Sequence, residues 1–247
     1  MKKILVLFAA LVSCQFIHAQ GLKGILKNVT KSDSSGTLDK IFSGKGSLST
    51  DEVASGLKEA LNVGVTKGTQ KLSSVDGFFK DAAIKILLPP EAKKVESTLR
   101  DIGLNKQVDD AILSMNRAAE DAAKSAAPIF VDAIKQITIQ DAWSILKGND
   151  SAATSYLKQK TTASLTEAFR PVIEKSLEKV DATKYWNTVF TTYNKMPLVN
   201  KVNPDLTAYV TEKALTGIFH EVATQEAEIR KNPMARTTDL LKKVFAK

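Results

Sequence analysis

The sequence predicts an all-α protein, a single bundle of about eight helices with bends in the longest ones, set behind a flexible N-terminal leader. Three observations carry this reading. Apolar residues recur at helical spacing through most of residues 50–247, no segment alternates apolar and polar residues between hairpin turns, and Leu, Ala, Lys and Glu dominate the ordered part. The composition, 43% hydrophobic and 25% charged with 12 Gly and 7 Pro in 247 residues, excludes collagenous and disordered chains. A single cysteine excludes a disulfide scaffold. No composition shift after Thr50 marks a further boundary and no repeat of fixed period is visible, so residues 50–247 are expected to fold as one α-helical domain.

Residues 1–19 read as a signal peptide: Lys2 and Lys3 precede an apolar run from Ile4 to Val12, and the residues then become smaller and more polar up to Ala19. The run is too short to cross a bilayer, which takes about 20 residues. Two processing routes are open. Ala19 offers ordinary cleavage before Gln20, whereas Leu11-Val12-Ser13-Cys14 resembles a lipobox, and lipidation of Cys14 would make the protein an outer-membrane lipoprotein. Ordinary cleavage is favoured because Gln15 to Ala19 continue the signal peptide and form no polar tether; the expected location is the periplasm. The Gly/Ser-rich stretch KSDSSGTLDKIFSGKGSLST then marks residues 20–49 as a flexible leader, with a short apolar patch from Gly21 to Val29 ahead of it.

Either route leaves no free thiol, and ordinary cleavage removes His18, so His220 becomes the lone histidine. With so few ligands neither a metal site nor a cofactor is expected. Loss of Lys2 and Lys3 lowers the formal charge from +8 to +6, which favours anionic partners, while export makes nucleic acid an unexpected one.

Ordered structure is expected to start at Ser49, which stands three residues before Glu52 in capping-box spacing, and to run as a helix to Leu72. On this helix Val53, Leu57, Leu61 and Val65 lie beside a parallel stripe of small residues, Gly56, Ala60, Gly64 and Gly68. Each Gly costs about 1 kcal/mol of helix propensity relative to Ala. The stripe therefore predicts close approach of another helix, ahead of a pocket wall. Pro89 and Pro90 follow a short apolar piece, Phe78 to Leu88, and Pro90 suits the first turn of the next helix. Its buried face is expected at Ala92, Val95, Leu99 and Ile102, with a stop at Gly103. A long pattern follows from Asn105 to Ile137, with a break allowed at Pro128. Its alanine-rich middle, Ala118 to Ala127, is the expected partner of the glycine stripe.

Thr138 with Asp141 reads as the next helix start, Trp143 as that helix's anchor, and Gly148 as its stop. Ser151 to Val180 forms another long pattern through Tyr156, Leu165, Phe169, Ile173 and Leu177, with a kink expected at Pro171. An aromatic helix from Tyr185 to Tyr193 precedes a loop bracketed by Met196-Pro197 and Asn203-Pro204. Leu206 to Ile229 reads as helix with Val210, Ala214, Ile218 and Val222 facing inward, Asn232-Pro233 ends it, and a last helix spans Thr238 to Phe245.

Chemistry-bearing residues are sparse. The stretch from Ser114 to Glu120 offers Asn116, Arg117 and Glu120 on adjacent helical turns, either as a polar cluster facing a cleft or as a solvated face with helical ion pairs. Arg170 precedes Pro171, where a kink would free carbonyls for a guanidinium. His220 has Thr216 and Thr224 one turn away on either side but no orienting triad. Gly44-Lys45-Gly46 lacks the spacing of a phosphate-binding loop. The basic amphipathic C-terminus, with Lys242, Lys243 and Lys247 around Leu241 and Val244, reads as a helix docked on the bundle, with a membrane surface as the alternative.

In these same segments the chain resembles the bacterial domain of unknown function 4197 family. The resemblance lies in GLKEALNVGVTKGT (Gly56 to Thr69), LPPEAKKVE (Leu88 to Glu96), SMNRAAE (Ser114 to Glu120), PIFVDAIKQIT (Pro128 to Thr138), AFRPVIEKS (Ala168 to Ser176) and NPMARTTDLLKKVF (Asn232 to Phe245). It implies an exported, single-unit helical protein and brings no reaction, cofactor or catalytic residue. The first expectation is a non-enzymatic binding or interaction module of the envelope, for an apolar or anionic ligand or a protein partner, with an apolar cavity along the glycine stripe. A carboxylate-based hydrolase would instead show Asn116, Arg117, Glu120, Arg170 and His220 converging in a cleft, and a structural or assembly lipoprotein would show neither.

Overall fold

The structure is a computed structural model that describes residues 49–179, 181–195, 197, 201 and 205–245. The residues read as a signal peptide, Cys14 and the expected leader up to residue 48 lie outside the described residues, as do Val180, Met196 and the Asn203-Pro204 loop. The described elements are all helical: α1 (Thr50–Ser73), a 3-10 turn (Pro90–Ala92), α2 (Lys93–Asp101), α3 (Asn105–Ala123), α4 (Ala126–Lys135) and α5 (Ile139–Lys147). There follow α6 (Ala152–Glu178), α7 (Ala182–Tyr193), α8 (Leu206–Lys231), a second 3-10 turn (Pro233–Ala235) and α9 (Asp239–Val244). The all-α expectation holds.

Four long helices form the centre: α8 packs on α6 and α1, and α3 packs on α6. Helices α4, α5 and α9 gather around α1, α7 bridges α6 and α8, and α2 rests on α3. The core they enclose is aliphatic and aromatic, with Leu57, Phe78, Met115, Phe130, Phe169 and Ile173 fully buried, and Phe130 meets Phe219 edge to face. Buried threonines satisfy themselves. Thr69, Thr161 and Thr211 each donate to the carbonyl four residues back, at 2.7 Å, so their hydroxyls cost the core little.

Helix α1 is buried along both of its rows, Val53–Leu57–Leu61–Val65 and Gly56–Ala60–Gly64–Gly68. The stripe serves close packing, but its partner differs from the one expected. A Cβ at Gly56 would meet Val244 and Leu240 of α9, and those at Gly64 and Gly68 would meet Gln225, Ile229 and Glu221 of α8. The alanine-rich stretch faces the interior of the bundle instead, where Ala118, Ala119, Ala122, Ala123 and Ala126 are fully buried.

The pattern from Asn105 to Ile137 divides into two helices, and the chain turns at Lys124 and Ser125 ahead of Pro128, which sits in the first turn of α4. Ile102 does not join the buried face: it is 66% exposed, because the chain leaves α2 at Gly103, whose φ of +87° a side chain would resist. Helix α6 continues through Pro171, on its exposed face. Thr138 and Asp141 form the full capping box of α5, whose buried anchors are Ala142 and Ile145 while Trp143 is half-buried beneath Lys147. Thr238 caps α9, which docks through Leu241 and Val244.

Two glycines separate propensity from space. A Cβ at Gly217 would lie 2.5 Å from Cε1 of the fully buried Phe78, whereas one at Gly64 would lie 3.4 Å from Gln225 Cβ. Gly217→Ala is expected to destabilise by about 1–3 kcal/mol through overpacking. Gly64→Ala is expected to stabilise by up to about 1 kcal/mol through helix propensity, and urea unfolding of the two variants checks both signs.

Candidate functional site

Between α1 and the Pro90 turn the chain has neither long helix nor strand, yet it carries Phe78, Ile84 and Ile86 into the core. Its buried backbone groups need partners from side chains. Asn116, fully buried on α3, supplies two: its Oδ1 accepts the Ile86 N–H at 2.9 Å and its Nδ2 donates to the Ile86 carbonyl at 2.8 Å. Nδ2 also donates to the Ile112 carbonyl at 2.8 Å, so both atoms of the amide are engaged. One turn on, Glu120 Oε1 accepts the N–H groups of Phe78 and Phe79 at 3.1 and 3.2 Å. From α8 the Tyr209 hydroxyl donates to the Leu87 carbonyl at 2.8 Å; burial first, then the charges of Glu91 and Glu212, push that phenol up to about 12.

Arg117 closes the arrangement. Its guanidinium donates to Glu120 Oε2 at 2.6 Å and to Asp76 Oδ1 at 2.7 Å, and Asp76 also pairs with Lys80 at 2.7 Å. Asp76 stands at φ +69°, a left-handed turn that Asp and Asn tolerate better than most residues. Hydrogen bonds from Lys80, then from Arg117, hold its carboxyl below the ordinary range.

Of the five sequence candidates, then, Asn116, Arg117 and Glu120 do converge, but onto residues 76–86, Asn116 and Glu120 through the backbone of that segment and Arg117 through the Asp76 side chain. Arg170 lies elsewhere: it pairs with Asp205 at 2.8 Å, the residue that caps α8, and serves no carbonyl freed by Pro171. His220 is exposed on α8, and its own carbonyl accepts the Thr224 hydroxyl at 3.1 Å. Among the described residues the five have no common partner.

Two buried carboxylates escaped the sequence reading. Glu226 reaches the start of α6, where it accepts the N–H groups of Ala153 and Thr154 and the Thr154 hydroxyl at 2.8–3.0 Å. Arg230 pairs with Glu226 at 2.9 Å and donates to the Ile145 and Leu146 carbonyls at the end of α5. Glu221 accepts from Lys71 at 2.7 Å and from Gln225 at 2.8 Å. The Glu226–Arg230 spacing of four was the available signal; their burial was not legible.

The described residues also border a cavity of about 840 Å³, open to solvent on one side. Leu88, Ala92, Val95 and Leu99 line one side, Val108, Ala111 and Met115 of α3 form its floor, and Trp186, Phe190 and Leu206 close the other side. None of Gly56, Ala60, Gly64 and Gly68, along which the sequence reading placed an apolar pocket, lines this cavity. The cavity falls within the roughly 300–1,000 Å³ of small-molecule sites and shares their predominantly apolar lining. Among the described residues no group of three or more His, Cys, Asp or Glu side chains is placed to hold a metal ion, and no helix is long and apolar enough to cross a membrane.

A family model described as protein of unknown function matches residues 47–246, the whole of the helical bundle. The chain belongs to the DUF4197 family. No curated protein and no solved structure matches it. The polar residues in the segments that suggested DUF4197 membership have architectural work here. In SMNRAAE they fasten residues 76–86, and in NPMARTTDLLKKVF Asn232 caps the second 3-10 turn while Arg236 donates to the Ile229 and Arg230 carbonyls at the end of α8.

Asn116→Leu is expected to lower the unfolding free energy by about 2–5 kcal/mol, since it leaves the Ile86 N–H and C=O buried without partners. Amide hydrogen exchange should quicken at Ile86 more than at Leu57 of α1. Acid should act through Asp76: a carboxyl held below the usual value of about 3.9 stabilises fully above it, and that contribution is lost as pH falls through the lower folded value. Thermal melts between pH 5 and pH 2 should therefore fall less steeply for Asp76→Asn, which keeps the turn, than for the unaltered protein.

Proposed function

We propose that this DUF4197 protein is a non-enzymatic binding module whose apolar cavity between α2, α3 and α7 takes a small, largely apolar ligand. The cavity carries the reading: about 840 Å³ of space, open to solvent on one side and bordered by Val95, Leu99, Met115, Trp186 and Phe190, has the size and the predominantly apolar lining of small-molecule sites. The polar side chains argue in the same direction. Asn116, Arg117, Glu120 and Glu226 are all engaged with backbone amides or with one another, which supports a structural use of these four over an acid and base held across a cleft.

The location belongs to the proposal as well. The charged start, the apolar run and Ala19 support export to the periplasm with cleavage before Gln20, and the lipobox-like Cys14 supports the tethered alternative. A periplasmic carrier or sensor of apolar molecules has a physical rationale, since such molecules cross an aqueous compartment slowly unless shielded from water.

The test uses protein purified from its own envelope. A denatured mass beginning at Gln20 supports ordinary export, and an acyl increment on Cys14 supports the lipoprotein. After delipidation, the neutral polarity-sensitive dye N-phenyl-1-naphthylamine should bind saturably, and Ala111→Trp, which fills the floor of the cavity, should weaken binding at least about tenfold. Leu99→Glu, on α2, should do the same if the tryptophan variant folds poorly by circular dichroism. Absence of saturable dye binding by the folded, unaltered protein overturns the reading.

A further inference from the structure

One wall of the cavity is held lightly by the rest of the protein. Helix α2 turns Val95, Glu96 and Leu99 toward the cavity and Lys94, Ser97, Thr98 and Asp101 toward water, so it stands as a single layer between the two. None of its residues is buried. Among the described residues one side-chain polar contact ties it to another element: Arg100 donates to Asp109 of α3 at 2.9 Å. The same guanidinium pairs with Glu96 inside α2 at 3.0 Å, and the Asp109 side chain is 65% exposed, so the tie parts without stranding either charge. The two ends of α2 differ. Ahead of it the chain is fastened, with Pro89 and Ala92 buried, the Leu87 carbonyl bound by Tyr209 and Ile86 bound by Asn116. Behind it Gly103 stands at φ +87°, and a Cβ there would meet nothing within 4 Å. A glycine turn in open space absorbs a change of backbone angle without displacing neighbours.

We propose that α2 is a flap: it swings between the Pro90 turn and Gly103, closes Val95 and Leu99 onto a bound ligand, and is latched by the Arg100–Asp109 pair. This rests on the binding-module reading above and adds to it the element that controls ligand release. The motion is confined to α2, because the cavity residues contributed by α3, α7 and the start of α8 belong to the core: Val108, Met115, Trp186, Phe190 and Leu206 are all buried. Val95 and Leu99 are half-buried, and a ligand beneath them supplies the apolar contact that the flap lacks. The latch adds a small bias toward the closed position, since a pair this exposed is worth little.

The experiment follows amide hydrogen exchange, and the release of N-phenyl-1-naphthylamine by stopped-flow displacement, in the delipidated full-length protein. Without dye the amides of α2 should exchange faster than those of α3, and bound dye should slow α2. Arg100→Met should speed α2 exchange and dye release by the same factor, about twofold to fivefold, the range of an exposed ion pair. High salt should do this to the unaltered protein but not to the variant. Asp109→Asn, which cuts the latch from the other helix, should repeat the effect and stands in if Arg100→Met folds poorly. Lys106→Met, which removes one charge from α3 and leaves the latch intact, should change neither rate. Saturable dye binding with a release rate that both latch variants leave unmoved overturns the flap and leaves the binding module standing, the ligand then departing through the side already open. Amides of α2 that exchange as slowly as those of α3 overturn the flap as well. Absence of saturable dye binding by the folded protein removes the binding module and the flap with it.

Discussion

Between Ser73 and Pro90 the chain sends Phe78, Ile84 and Ile86 into the core without being a long helix, and much of the polar architecture described above exists to let it do so. A buried peptide group without a partner costs about as much as a lost hydrogen bond. Asn116 is suited to the task because one amide side chain both donates and accepts, so it reads Ile86 much as a neighbouring strand would. Glu120 is suited to two adjacent N–H groups because a carboxylate oxygen accepts more than one bond, and Arg117 supplies the countercharge that a carboxylate 4% exposed requires. With this segment secured, Phe78 fills the space left by Gly217 on α8, and Leu88 is delivered to the edge of the cavity.

The same logic governs the helix ends that meet inside the bundle. Helix α8 carries a negative group to the start of α6 and a positive group to the end of α5, and the two groups are each other's ion pair. Each charge lies at the helix end whose dipole favours it, and each satisfies backbone groups that no intrahelical bond can reach. Arg236 then returns to the carbonyls at the end of α8 itself, which lets the chain reverse into α9 and bring Val244 against Gly56. The small-residue stripe is thus the receiving surface for α8 and α9.

Helical periodicity made the class and nearly every element readable, because a repeat of apolar side chains reports directly on burial. Caps were readable where one residue pair forms them, as at Thr138 and Asp141. Partnerships were not. The stripe on α1 announced close packing but not α8 and α9, since the matching surface is a row of ordinary residues, Glu221, Gln225 and Ile229. Asn116, Arg117 and Glu120 were visible as a group, yet a polar triplet on a helix looks the same whether it faces water, a substrate or a stretch of main chain forty residues earlier in sequence.

The cavity occupies the part of the protein least committed to the core. Helix α2 has nine residues and none of them is buried; only Val95 and Leu99 lean partly on the bundle. A helix of that length is marginal by itself, and a wall so lightly packed opens at small cost in free energy relative to global unfolding. The opposite side is firm, since Trp186 lies 4.3 Å from Phe190 and stacks on Tyr209, whose hydroxyl is bound to Leu87. On the proposed reading, the aromatic side chains and the lightly held amphipathic helix would give an apolar ligand a template and an entrance. Filling the cavity would then stabilise α2 by giving Val95 and Leu99 the contacts they lack, so ligand binding and closure of this wall would be one coupled equilibrium.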